Sequence, residues 1–142
     1  MSKGNTFEND FLKLVFNATP IANIADNAAS SPLANLYVAL HTADPGEAGA
    51  QNASEVAYTN YARQAVARTT GGWTVTNNQV VPAAAIPFPA SGGGTDEATH
   101  WSVGVAVSGA TKILYKGALD NTILCSAGVT PELTTSTVIT ED

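Results

Sequence analysis

The chain has 142 residues, of which only 13% are charged, and twelve acidic residues against six basic ones give a formal net charge of −6. Six Lys and Arg scattered singly make no patch for phosphate contacts, which excludes a nucleic-acid binder, and no apolar window approaches membrane-spanning length. A domain of this size folds without a metal or disulfide. The charge deficit is filled by Ala, Thr, Gly, Val and Asn, whose side chains lose little entropy when neighbours cover them.

In chain order, the first segment is the one clear helix. Asn5 is placed to cap it, Glu8 stands three residues on as in a capping box, and Phe7, Phe11, Leu14 and Val15 share a face. Pro20 pushes Thr19 out of the helical region, so the helix should end near Ala18. With Phe16, the segment carries three Phe within ten residues, an apolar load that is stable only when docked. Phe7, Phe11 and Phe16 are therefore candidate subunit-interface residues. From Ile21 to Pro32 the composition turns to Ala, Asn, Ser and Asp, an irregular connection or a short second helix.

Strand signals follow. Leu36 to Thr42 alternates and runs into a turn at Asp44-Pro45, and Arg63 to Thr69 gives a second strand. Trp73 to Thr76 and Gln79 to Pro82 read as a hairpin around Asn77-Asn78, since Asn tolerates the left-handed conformation of a tight turn. Ala84 to Phe88 is a strand that Pro87 and Pro89 confine to an edge. Ser91 to Thr99, with three consecutive Gly, reads as a flexible loop. Trp101, Val103, Val105 and Val107 then alternate with Ser102, Gly104, Ala106 and Ser108, the pattern of a half-buried strand. Ile113 to Lys116, Thr122 to Cys125 and Thr134 to Ile139 complete the series. Some eight short strands with helix confined to the start predict a mainly β fold, an antiparallel β-sandwich or jelly roll with one short N-terminal helix. The whole chain, 1–142, is expected to be one domain, with residues 1–33 as helix and irregular arm and 34–142 as the sandwich.

No catalytic signature emerges. Asp96 and Glu97 are adjacent and point to opposite faces of a strand, the Gly triplet lacks the Lys-Ser/Thr of a phosphate loop, and no nucleophile elbow is present. His41, Asp44 and Glu47 lack the spacing of a calcium loop, and two isolated His make no metal site. The expectation is no enzyme, no metal and no cofactor. Cys125, flanked by Ile123 and Leu124, reads as a buried hydrophobe. No signal peptide is discernible, so the chain is expected to be made in a cytoplasm. Tyr58 and Tyr61, ahead of a strand, join the candidate interface residues.

The run LYVALHTADP from Leu36 to Pro45, the loop GEAGAQNASE and YTNYARQAVAR from Tyr58 to Arg68 resemble small structural proteins of tailed bacteriophages. These are described as capsid decoration (cement) proteins or, more loosely, as tail-fibre proteins. The resemblance continues through GWTV, IPFPA, THWSVGVA, KILYKGAL and the terminal TED. It implies a virion protein on the outer surface of the head, made in the host bacterium. It also implies the major capsid protein as partner and a dimer or trimer at local symmetry axes. A tail or tail-fibre component is the alternative, and a small carbohydrate-binding β-sandwich module a third.

Overall fold

A computed structural model describes residues 3–21 and 32–141, and the connection expected between Ile21 and Pro32 falls largely outside them. The fold is mainly β and antiparallel, with one N-terminal helix, consistent with a β-sandwich. Two compact units make it up: Met1–Asn35 with Val66–Ala85 and Leu133–Asp142, and Leu36–Ala65 with Ile86–Glu132.

The first unit holds helix α1 (Asn5–Asn17) and a three-strand antiparallel sheet of β3 (Trp73–Thr76), β4 (Gln79–Pro82) and β9 (Ile139–Thr140). The hairpin forms where the sequence places it, with Trp73 opposite Pro82, Thr76 opposite Gln79 and Asn77 at a φ of 54°. Helix and hairpin are joined by the edge-to-face contact of Phe16 on Trp73, ring centroids 4.9 Å apart. Asn17 Nδ2 donates to the Trp73 carbonyl and Asn9 Nδ2 to that of Asn77. Leu12, Phe16, Trp73, Val80, Leu133 and Ile139 form the core.

The helix ends at Asn17, as expected, and differs from its expected form in two ways. Gly4, without a side chain to offer, stands at the N-cap, and Asn5 is the first helical residue, so no capping box forms. The buried face is Glu8, Leu12 and Phe16, one residue round from the expected stripe, leaving Phe7 41% exposed and Phe11 half-buried with their rings 6.4 Å apart. The C-terminus, closed by Ala18 at a φ of 52°, has no basic residue in its last turn. Arg68 supplies one from far along the chain: its Nε donates to Val15 O, Nη2 to Leu14 O and Nη1 to Leu33 O, at 2.7–2.9 Å. Carbonyls at a helix end lack intrahelical donors and carry the negative end of the macrodipole, so a guanidinium answers both needs.

The second unit contains most of a four-strand sheet of order β2–β1–β6–β7, namely β1 (Asn35–His41), β2 (Gln64–Ala67), β6 (Thr95–Gly104) and β7 (Ile113–Ser126). The short strands β5 (Ile86–Pro87) and β8 (Glu132–Leu133) pair separately. β1 and β6 are antiparallel, Tyr37 opposite Gly104 and His41 opposite His100. β6 is buried on both faces from Trp101 to Gly104, where the alternation had predicted one, and it stops at Gly104, leaving Val107 62% exposed in the following bends. The two strands expected over 113–125 are one, because β7 absorbs Leu119 to Thr122 as a bulge opposite Thr99. The Gly triplet is tied down: Gly92 N donates to Thr59 O, and Thr59 N to Gly93 O. Gly117 lets the Trp101 ring lie across β7, since a Cβ there would stand 2.9 Å from Trp101 Cζ2.

If Arg68 is the helix cap, Arg68→Met should lower stability by about 1–3 kcal/mol, the value of charge-assisted hydrogen bonds at a partly buried helix end. Arg68→Lys should restore only part of it, because an ammonium cannot span three carbonyls in a fixed fork. Urea denaturation of the three proteins measures the difference.

Candidate functional site

Among the described residues the densest cluster of polar side chains lies in the second unit, in the segment that carries the phage resemblance. It is built on a turn, Tyr58-Thr59-Asn60-Tyr61, closed by the Tyr61 N–H to the Tyr58 carbonyl at 3.0 Å with Asn60 at a φ of 79°. A left-handed third residue is the signature of a type II turn, which Asn accepts. The turn sets the two tyrosine rings edge to face at 5.3 Å, and Tyr61 stacks on Phe88 at 6.1 Å. Two residues on, Arg63 enters the interior with its side chain 1% exposed.

Every N–H of the Arg63 guanidinium is matched. Nε and Nη2 grip both oxygens of Glu55 at 2.7 and 2.8 Å, Nη2 also reaches Gly109 O, and Nη1 reaches Gln51 Oε1 and Ala106 O. Gln51 is wholly buried and passes the connection to the sheet through Nε2 and Tyr37 O. Its amide lies over Gly104, where a Cβ would come within 2.1 Å of Oε1. Tyr61 donates its hydroxyl to Glu55 and accepts from the Leu40 N–H. The chain from 51 to 63, the 106–111 bends and strand β1 are thereby held by one cation. A buried pair of this kind is stable because its remaining hydrogen bonds are satisfied.

Above this hub lies an open cleft of about 400 Å³ lined by Glu55, Tyr58, Tyr61, Arg63, Val107 and Ser108 among others. Tyr58 is 3% exposed, and its hydroxyl donates to Pro89 O. Desolvation, with a contribution from Cys125, pushes its pKa up to about 12. Tyr61 is raised by desolvation first and by the Glu55 charge second. Both phenols therefore act as neutral donors. Burial also raises the Cys125 thiol, against the opposing pull of an Ala98 backbone hydrogen bond, and its Sγ reaches the Ile123 carbonyl at 3.5 Å.

His41 and Ser102, both 0% exposed, form a second pair, Nε2 to Oγ at 2.7 Å. The Ala53 carbonyl, 2.9 Å from Nδ1, can only accept, so Nδ1 carries the proton and the Ser102 hydroxyl donates to Nε2. The geometry is that of a serine beside its base, but no face of either side chain is open to a substrate. Asp44, grouped with His41 in the sequence, turns instead to the Gly46 N–H and Lys116, which hold its carboxyl below the usual range. Asp96 and Glu97 diverge as their positions require, to the Ala57 N–H and to Thr122.

Of the expected interface residues, Phe16 and Tyr58 spend their contacts inside their own units, Phe11 and Tyr61 are half-buried, and Phe7 is exposed. Neither the Arg63 hub nor the Arg68 cap was anticipated. The one local signal is Glu55, eight residues ahead of Arg63 in a loop that is otherwise short of charge apart from Glu47.

Residues 4–140 match the family of the podophage GP4 fiber I protein gp80. The chain belongs to this fibre-protein family. No curated protein matches it. The match spans both units and includes the hub, the cleft and the helix. The protein is thus a structural protein of the phage virion, in line with the resemblance carried by residues 36–68. The family description names a fibre, and the head-surface placement implied by that resemblance finds no support in it.

His41 should make the protein acid-sensitive. Desolvation lowers its pKa below 6.5, against the opposing pull of the Ala53 carbonyl and Glu55. Below pH 6.5 the unfolded chain then binds a proton that the folded chain refuses, so stability is full above that pH and is lost as pH falls towards the folded value. The urea midpoint should drop between about pH 7.5 and about pH 5.5. His41→Gln should be less stable throughout, with a shallower drop over the same interval.

Proposed function

We propose that this gp80-family chain is a structural subunit of a podophage fibre, working by shape and buried contact without a catalytic step. The family match over residues 4–140 carries the reading. Two features support it. The hub and the helix cap fix loops that would otherwise move, giving rigid surfaces that lose little entropy on assembly. The exposed Phe7 beside Phe11 offers an apolar contact on a chain with few charges. Its partners on this reading are other virion subunits, further copies of itself among them.

Labelling the protein on intact virions and counting copies tests the assignment. A fibre subunit should appear at the tail or at discrete fibres in a number set by their symmetry, on the order of tens. Copies on the order of hundreds, spread over the head lattice, would refute it and support decoration of the major capsid protein.

A further inference from the structure

We infer that a polar pocket on the first unit is a receptor for a basic side chain of a partner protein. The pocket, about 420 Å³, is lined by Asn5, Thr6, Glu8 and Asn9 of α1 and by Asn77 and Asn78 of the β3–β4 turn. Glu8 is the only charged residue among these. It is 7% exposed, and among the described residues its carboxylate has no hydrogen-bond or ion-pair partner. Its oxygens meet solvent only through the pocket, and a carboxylate so largely covered gains more from an arriving counter-charge than an exposed one does.

The described basic groups with known partners are engaged elsewhere. Lys3 pairs with Glu141, Arg63 with Glu55, Lys116 with Asp44, and Arg68 covers the far end of the helix. Two of the lining amides are also polarised in one sense. Asn9 Nδ2 donates to Asn77 O and Asn78 Nδ2 to Glu141 O, which leaves their side-chain oxygens as acceptors. Among the described residues the pocket thus offers a carboxylate and amide oxygens and no cation. One carboxylate is too few for tight calcium binding, and among the described residues no His or Cys lines the pocket for a softer metal. An ammonium or guanidinium on an aliphatic stem fits the charge, the acceptor set and the volume.

The test is ¹⁵N-resolved NMR of the full chain titrated with N-acetyl-arginine amide, N-acetyl-lysine amide, the neutral N-acetyl-norleucine amide and calcium chloride. The expected result is saturable shifts at the amides of Glu8, Asn9, Asn77 and Asn78 with one or both basic probes and none with norleucine. Binding should weaken by roughly tenfold or more in Glu8→Gln. Asn5→Asp, which adds a second acid at a position the helix dipole favours, should tighten it several-fold. Shifts with norleucine, saturation by calcium alone, no saturable shift, or binding unchanged in both variants would overturn the inference. None of these outcomes depends on where in the virion the protein stands, so the pocket and the fibre assignment fail separately.

Discussion

A single guanidinium, that of Arg63, holds the long connection of the second unit in place. The chain between β1 and β2 is rich in Gly, Ala, Asn and Ser and has little apolar area with which to pack itself. Its position comes instead from Glu55 and Gln51, which turn inward to a cation whose other donors reach the 106–111 bends. Tyr61 is fixed through Glu55 and the Leu40 N–H, and the aromatic cleft is a consequence of that arrangement. An ammonium has three donors and no planar fork, so Lys at this position would leave buried carbonyls unsatisfied.

Arg68 repeats the strategy in the first unit with a different target. There the guanidinium meets only carbonyls at the end of α1, and burial lowers its pKa without any carboxylate to offset the cost. The two arginines, five residues apart in the sequence, each bind chain segments distant in sequence. In a protein with so few charges, the buried Arg63 and the partly covered Arg68 do the work that many surface ion pairs would do poorly. A virion protein gains from this design, because rigid loops present a fixed contact surface to neighbours.

The β3–β4 hairpin was legible because turn chemistry and alternation agreed at Trp73 to Pro82. Strand β1 and the existence of the helix were legible for similar local reasons. The helix face was not, because Glu8 occupies a core-facing position that polarity alone assigns to solvent. β6 was misread as half-buried because Ser102 and Gly104 look like surface residues, yet Ser102 is satisfied by His41 and Gly104 is covered by the Gln51 amide. Both pairings are long-range and leave no periodic trace. The same holds for Arg63 and Arg68, which read as solitary surface charges until the fold brings their acceptors to them. The phage character was legible from residues 36–68, the segment that contains the hub.

The role of Arg63 is tested most directly by native-state hydrogen exchange at the amides of Gln51 and Val56, which donate to Thr111 O and Leu40 O. If the guanidinium makes the loop part of the rigid unit, these amides should exchange with opening free energies close to those of the β1–β6 centre. In Arg63→Met they should exchange much faster than Val103, which stays protected. Fast exchange of Gln51 and Val56 in the unaltered protein, or slow exchange in the variant, would show that the loop owes its position to something other than Arg63.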